Sequence, residues 1–224
     1  MFLYRGSISR TLAPVLIAGI AAPLWFTALV VLQGLLQPDY SHIKMPISAL
    51  AAWPYGWIQI LNFLVVGALM AAWAIGVHNV IRPTRFGLVS IVLLLASSLG
   101  LVLAGIFPWI NVNGVPTETP QHVVSAVLVF SGASLGLIFL SRRMAGDPEW
   151  KKLSSYVLAT GIVMLVLFIA LGGFAVDAGT PLHPWAGLLQ RVLLAVWFPA
   201  LIVIAIKALR IVRERQLHRN GIRS

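Results

Sequence analysis

The chain has no cysteine and few charged side chains. Of its 224 residues only 10% are Asp, Glu, Lys or Arg, and six of these are acidic. The absence of cysteine excludes disulfides, thiolate metal sites, iron–sulfur clusters and cysteine nucleophiles. The scarcity of charge excludes a water-soluble domain of ordinary composition, because such domains contain about 25% charged residues.

Apolar sequence fills the chain instead. Hydrophobic residues make up 59% of it, and the mean hydropathy is +0.94. Long apolar runs, separated by charged and Pro/Gly-rich segments, predict six membrane-spanning helices of roughly the 20 residues that a bilayer requires. We expect an all-α, polytopic membrane protein forming a single bundle. The predicted spans are about 11–36, 57–81, 87–107, 121–141, 152–176 and 186–210.

The Lys and Arg residues are distributed unequally between the two ends of these spans. Fourteen of the 16 fall on the side of the termini, whereas Lys44 and Arg191 fall on the other side. Because cytoplasmic loops are rich in Lys and Arg, we expect cytoplasmic termini and a location in the cell inner (cytoplasmic) membrane. The formal charge of +10 then divides into +11 inside and −1 outside. It indicates topology and contact with anionic lipids, and it does not indicate nucleic-acid binding.

Two further segments flank the spans. Residues 37–56 are too apolar for a free loop and too short to cross a bilayer, so we expect an outer interfacial or re-entrant segment that caps the bundle. Residues 211–224 are expected to form a basic cytoplasmic tail, which would contact anionic headgroups or recruit a partner. Membrane lipids are therefore the expected partners, and the sequence predicts no particular oligomeric state.

Acidic residues and histidines recur at the three outer turns. The pairs are Asp39 and His42, Glu118 and His122, and Asp177 and His183. A bundle of three helical hairpins would bring these turns together at one depth. Imidazoles and carboxylates suit zinc or another divalent ion, and the predicted ligands are His42, His122, His183 and Asp177. Metal-bound water could then hydrolyse an ester or amide of a lipid.

The same residues could also catalyse a reaction without a metal, or they could have no catalytic role. Asp39 or Glu118 could orient a histidine that activates the hydroxyl of Ser41 or Ser48. Alternatively, the polar residues only solvate and shape the turns, a role for which Pro, Thr and Gly neighbours are typical. A b-type haem is not expected. Its two axial imidazoles would have to face each other across the bundle, whereas the outer histidines lie at loop tips.

Arg191 lies near the outer start of the sixth predicted span, where positive charge is otherwise avoided. An unpaired Arg there is costly, so it should snorkel outward, pair with a carboxylate, or bind an anion such as a lipid phosphate. Gln59 and Asn62 enter the second span from the same side, and Trp185 lies at the outer interface. These three could complete a substrate pocket. Gln59 and Asn62 could instead join helices through hydrogen bonds.

Several short motifs follow one another along most of the chain. They are Asp39 to Ser41 with Ser48-Ala49-Leu50, Asn62 with Gly67, Gly105-Ile106-Phe107-Pro108, His122, Trp150, and Gly187 to Arg191. In this order they resemble a prokaryotic multi-pass membrane protein family, domain of unknown function 998, with Ala51 where that family commonly has Gly. The resemblance implies a multi-helix fold and no defined activity. A more distant likeness connects such proteins to eukaryotic proteins of lipid-anchor remodelling and to metal-dependent membrane hydrolases.

The leading hypothesis from the sequence is a membrane protein whose extracytoplasmic His/carboxylate pocket recognises a lipid or small amphiphile. If a metal binds, the pocket could be that of a hydrolase. The alternatives are a non-enzymatic lipid or small-molecule binding or transport protein, and a structural membrane subunit. The middles of the spans carry almost no ionisable residues, which disfavours ion or proton conduction.

Overall fold

Six long apolar helices account for most of the structure. The computed structural model describes residues 5–175 and 179–219. The helices are α1 (Arg5–Leu35), α2 (Gly56–Val80), α3 (Arg85–Ile106), α4 (Pro120–Ala145), α5 (Lys151–Phe174) and α6 (Ala186–Arg219). Each is long and apolar enough to cross a bilayer. The prediction of an all-α membrane protein with six spans is confirmed. Helix α6 continues through Arg219, into the region predicted as a basic tail.

The order of the helices in the chain is also their order around the bundle. Each helix packs against the next one, and α6 returns to pack against α1. The seam between α1 and α6 is different, because it joins elements from opposite ends of the chain.

The two ends of the bundle carry different connections. The end predicted to face outward, here called the hairpin end, has a capping segment (residues 36–55) with a 3₁₀ helix at Ile47–Ala52, and a second 3₁₀ helix at His183–Trp185. It also has an antiparallel hairpin of β1 (Ile110–Val112) and β2 (Val115–Thr117). The opposite end, here called the termini end, has only the short connections 81–84 and 146–150 between its described helices.

The capping segment closes the hairpin end of the bundle. All but one of the residues of its 3₁₀ helix are buried. Gln33, near the end of α1, donates hydrogen bonds to the carbonyl oxygens of Leu50 at 3.0 Å and Tyr55 at 2.9 Å. The segment is therefore anchored to the bundle by these contacts.

Small residues bring α3 and α4 close together. A Cβ atom on Gly100 would lie 2.7 Å from the backbone nitrogen of Val129, and one on Gly132 would lie 2.8 Å from a backbone carbonyl oxygen of α3. The Ser97 hydroxyl donates across the same seam to the carbonyl oxygen of Val129 at 2.8 Å. Such close approach is how helices associate without a hydrophobic driving force. Residues 172–173 of α5 differ, because their glycines have open space around them.

Large apolar side chains cover the outside of the bundle. Leu24 of α1 is 60% exposed, Leu88 of α3 is 70% exposed and Val166 of α5 is 60% exposed. A soluble monomer rarely exposes so much contiguous apolar surface. This surface is suited to contact lipid chains.

Candidate functional site

The three predicted histidines of the hairpin end lie in three different environments. The Nδ1 atom of His42 is 2.9 Å from a guanidinium nitrogen of Arg191. The Nδ1 atoms of His122 and His183 are 2.9 Å and 3.1 Å from backbone carbonyl oxygens that follow α3 and α5. Within residues 5–175 and 179–219, no three His, Asp or Glu side chains gather into a group that could hold a metal ion. Asp177 lies outside the described residues, so the zinc site stays a prediction.

The predicted acids and the first predicted serine are also dispersed. Asp39 is exposed on the capping segment. The Ser41 hydroxyl accepts a hydrogen bond from the backbone nitrogen of Lys44 at 3.3 Å, which is an ordinary turn contact. Glu118 is half-buried before α4, and burial raises the pKa of its carboxyl group. In the described part of the chain, neither Asp39 nor Glu118 forms a hydrogen bond or ion pair with a histidine.

Ser48 and His122 are brought together by the structure. Both line an internal cavity of about 40 Å³ beneath the capping segment, together with Gln190 and several aromatic rings. A water molecule needs roughly 10–15 Å³ of such space, so the cavity has room for a few waters. Because the Nδ1 atom of His122 lies against a carbonyl oxygen, a neutral ring there has its proton on Nδ1 and leaves Nε2 as an acceptor.

Arg191 has the most extensive hydrogen bonding of the predicted site residues. Its Nη1 atom donates to the carbonyl oxygens of His42 (2.7 Å), Met45 (3.3 Å) and Gly187 (2.9 Å). Its Nη2 atom donates to the Tyr40 hydroxyl at 2.8 Å and to Nδ1 of His42 at 2.9 Å. The guanidinium also lies 5.6 Å from the centroid of the Tyr40 ring. We call Arg191, Tyr40 and His42 the hairpin-end clamp, because they fasten the capping segment to α6.

The first turn of α6 is shaped to receive the capping segment. A Cβ atom on Gly187 would lie 2.3 Å from the carbonyl oxygen of Met45, so the close approach requires glycine. The next backbone nitrogen in α6 donates to the carbonyl oxygen of Ile43 at 2.9 Å. The side-chain oxygen of Gln190 accepts from the backbone nitrogen of Ile47 at 2.6 Å. The clamp therefore rests on a backbone interface that fixes its geometry.

The hairpin-end clamp contains one positive charge and neutral partners. Nδ1 of His42 accepts from Arg191, so the imidazole is neutral and carries its proton on Nε2. Burial, together with the charge of Arg191, lowers the pKa of His42. Burial raises the pKa of the Tyr40 hydroxyl, and the nearby Arg191 opposes this shift. Between described side chains, the one ion pair joins Arg215 to Glu149 at the termini end. No described carboxylate neutralises Arg191.

A groove of about 420 Å³ opens between α1 and α6 beside the hairpin-end clamp. It is lined by Phe26, Thr27, Val30 and Val31 of α1, by Leu194, Ala195, Phe198 and Pro199 of α6, and by Ile47, His42 and Arg191. Val31 and Pro199 are exposed on the outside of the bundle, so the groove is open toward the lipid-facing surface. An apolar groove with a cationic group at one end matches the shape and polarity of an amphiphile.

Comparison with known proteins identifies the family of the chain. The family model described as "Protein of unknown function (DUF998)" matches residues 20–207. The chain belongs to the DUF998 family. No curated protein and no solved structure matches it. The resemblance seen in the sequence is confirmed, and the matched range includes the whole hairpin-end clamp and the whole groove.

In this DUF998 protein, three residues predicted to bind substrate lie outside the groove. Gln59 and Asn62 are fully buried in α2. The side-chain nitrogen of Asn62 donates to the carbonyl oxygen of Phe26 in α1 and to the side-chain oxygen of Gln59, both at 3.3 Å. These contacts fit the alternative role, hydrogen bonding between helices. Trp185 is 50% exposed in the 3₁₀ helix before α6.

The sequence did not predict the apolar walls of the groove, nor two polar residues that hold the capping segment to α6, Tyr40 and Gln190. Each adjoins a residue that was predicted, since Tyr40 lies between Asp39 and Ser41 and Gln190 precedes Arg191. The available signals were the side-chain amide of Gln190 and the phenol of Tyr40, because each is a polar group next to a candidate site residue. Nothing in the sequence pairs these positions, because Tyr40 and Arg191 are 151 residues apart.

Proposed function

We propose that this DUF998 protein binds an anionic amphiphile without hydrolysing it. The headgroup would lie at Arg191, and the apolar chain would lie in the groove between α1 and α6. The observation that carries the proposal is the groove itself, whose walls are mostly apolar and whose hairpin end is lined by Arg191 and His42. With the termini in the cytoplasm, as the distribution of Lys and Arg predicts, the ligand would come from the extracytoplasmic leaflet.

The charge of Arg191 supports an anionic headgroup. The partners of its guanidinium are carbonyl oxygens, a phenol and a neutral imidazole. No carboxylate of the described residues pairs with it. An uncompensated Arg at the edge of the hydrocarbon layer is costly, and guanidinium binds phosphate oxygens through directed, charge-assisted hydrogen bonds. An anionic ligand would offset this cost.

The walls of the groove support an apolar chain. Val30 and Val31 of α1 face Leu194 and Phe198 of α6 across it. Val31 is 51% exposed, so a bound chain would cover apolar surface that the protein leaves uncovered. Because the groove opens sideways toward lipid, a membrane amphiphile could enter without leaving the bilayer.

Binding is better supported than hydrolysis. Hydrolysis by the predicted route needs His and carboxylate side chains that share a metal ion or a proton. In the described part of the chain, His42 is bonded to Arg191, whereas His122 and His183 face carbonyl oxygens. The groove and its cationic end need neither a metal nor a proton relay to recognise a ligand.

The proposal is tested by measuring retained lipids. The protein is reconstituted in nanodiscs of mixed phosphatidylglycerol and phosphatidylcholine, and the lipids that stay bound are identified by native mass spectrometry. Arg191→Gln should reduce retention of phosphatidylglycerol about tenfold, which corresponds to ~1.4 kcal/mol. Retention of phosphatidylcholine should change much less, because that headgroup has no net charge.

A second variant separates the groove from the clamp. Thr27→Trp would fill the groove and leave every contact of the clamp in place, so it should also reduce phosphatidylglycerol retention. The matched control is Leu24→Trp, on the same helix, at a position that is 60% exposed outside the groove. Equal retention by the wild type, Thr27→Trp and Leu24→Trp would contradict the proposal.

A further inference from the structure

We infer that the bound amphiphile carries a hydrogen-bond donor, an amide N–H or a hydroxyl, between its anionic headgroup and its apolar chain. This inference rests on the proposed function and specifies the chemical class of its ligand. It comes from two polar groups in the otherwise apolar middle of the groove, one on each wall.

The α6 wall supplies a hydrogen-bond acceptor. Pro199 lies inside α6 and has no backbone N–H, so the carbonyl oxygen of Ala195 lacks the bond that an α-helix normally provides. Ala195 and Pro199 both line the groove, and both are exposed. At hydrocarbon depth a freed carbonyl requires another donor. A ligand in the groove is placed to provide it.

The α1 wall supplies a hydroxyl group. A Thr inside a helix commonly donates to the carbonyl oxygen four residues earlier, as Thr160 does to Tyr156 at 3.0 Å. The Thr27 hydroxyl makes no hydrogen bond with any described residue, and the residue is exposed on the groove. Its hydroxyl can donate to a ligand oxygen or accept from a ligand hydroxyl.

The Ala195 carbonyl and the Thr27 hydroxyl together determine which linkage between headgroup and chain the groove binds best. An amide offers its N–H to Ala195 and its carbonyl oxygen to Thr27, and a hydroxyl can serve either group. An ester has only acceptors, so it would leave the Ala195 carbonyl unpaired, and a buried unpaired carbonyl is costly. Ala195 follows Arg191 by four residues, about 6 Å along the helix axis. The guanidinium of Arg191 reaches away from Ala195, toward the capping segment. The ligand's hydrogen-bond donor should therefore lie at least about 6 Å from its anionic group.

The test uses a matched pair of ligands. Both are single-chain alkyl phosphates with the same short spacer, and they differ only in an amide N–H or an ester oxygen joining the spacer to the chain. Their binding to the full-length protein in nanodiscs is measured by competition in native mass spectrometry. We expect the wild type to bind the amide about tenfold more tightly, a difference of ~1.4 kcal/mol.

Two variants and one control locate the preference. Pro199→Ala restores the backbone N–H that pairs with Ala195, and Thr27→Val removes the hydroxyl with little change in shape. Pro199→Ala should bring the ratio of amide to ester binding close to one and leave ester binding unchanged. Thr27→Val removes a donor to the carbonyl oxygen that both linkages share, so it should weaken both ligands and keep their ratio. The control is Pro23→Ala, because Pro23 lies inside α1 but is buried away from the groove. It should keep the full preference.

The outcomes distinguish the inference from the function on which it rests. If the wild type binds amide and ester equally, the donor is not recognised and the inference is overturned, while binding of an anionic amphiphile stands. If Pro199→Ala keeps the full preference, or if Thr27→Val leaves the binding of both ligands unchanged, the inference is overturned for this site. If neither phosphate competes with phosphatidylglycerol, the proposed function itself is contradicted.

Discussion

Two arginines fasten opposite ends of the bundle with the same kind of contacts. At the termini end, Arg143 of α4 contacts Nδ1 of His78 at 2.9 Å and donates to the carbonyl oxygen of His78 at 2.8 Å. It also donates to two carbonyl oxygens in the connection between α2 and α3. At the hairpin end, Arg191 makes the corresponding contacts with His42 and three carbonyl oxygens. In both places an Arg–His pair fixes a connection between helices.

The two clamps differ in burial and in nearby negative charge. Arg143 is 2% exposed, and the fully buried Asp147 follows it by four residues. The carboxylate of Asp147 accepts a hydrogen bond from the backbone nitrogen of Arg82 at 3.0 Å, within the same connection. Arg191 is half-buried, lines the groove and has no carboxylate partner among the described residues. These differences support a structural role for Arg143 and, besides a structural role, the proposed binding role for Arg191.

The largest expected effect is on stability at the termini end. Arg143→Met leaves several buried acceptors unpaired and a buried carboxylate without its nearby positive charge. We expect a loss of roughly 3–5 kcal/mol in the free energy of unfolding. Chemical unfolding in detergent micelles, followed by tryptophan fluorescence, measures it. The control is Arg142→Met, since Arg142 is exposed. Similar losses for the two variants would mean that Arg143 has no special structural role.

A smaller loss of stability is expected at the hairpin end. Arg191→Met should cost about 1–3 kcal/mol, because water reaches part of the site and can replace some of the lost hydrogen bonds. Unlike Arg143→Met, it should also remove the selectivity for phosphatidylglycerol over phosphatidylcholine. Unfolding and lipid retention are measured on the same samples. If both variants lost lipid selectivity in proportion to their stability, the distinction between the two clamps would fail.

Gly187→Ala should separate the capping segment from α6 while keeping Arg191. The added methyl group would overlap the carbonyl oxygen of Met45, only 2.3 Å from the ideal Cβ position. We expect a loss of about 1–3 kcal/mol and faster hydrogen exchange at residues 40–47, measured by mass spectrometry. Gly172→Ala is the control, because nothing lies within 4 Å of its Cβ position. Unchanged exchange in Gly187→Ala would show that this close approach does not hold the segment.

The smallest expected effect is a pH dependence of the hairpin-end clamp. The pKa of His42 in the folded protein is lowered from its ordinary value of 6.5, by burial and by Arg191. The unfolded chain therefore binds the proton more readily, so the stabilisation is present above pH 6.5 and is lost as the pH falls below it. The Tyr40 hydroxyl of the same clamp stays neutral in this range, because burial raises its pKa. The fall in melting temperature on acidification should be smaller in His42→Gln, and an equal fall would contradict the assignment.

The helices, and the need of Arg191 for polar partners, were predictable from the sequence because both depend on local composition. Long apolar runs define the spans, and a lone Arg among apolar residues on the sparsely charged side needs a partner. The identity of its partners was not predictable. Residues 40–45 contact α6 across about 150 positions of sequence, and polar loop residues offer no pattern that specifies such a pairing.

The predicted cluster of histidines depended on the turns meeting at one point. The sequence places His42, His122 and His183 at one end of the bundle, but it does not give their positions around it. Since the helices form a ring in chain order, the three turns are spread along its circumference. His42 then meets Arg191, whereas His122 and His183 meet carbonyl oxygens near their own helices.

The most direct test of the central claim is a high-resolution cryo-EM map of the protein in nanodiscs that contain phosphatidylglycerol. We expect elongated density in the groove between α1 and α6, with a phosphate within hydrogen-bonding distance of Arg191. The same density should be absent in Arg191→Gln. An empty groove in the wild type, or lipid density that is unchanged in Arg191→Gln, would contradict the binding of an anionic lipid at Arg191.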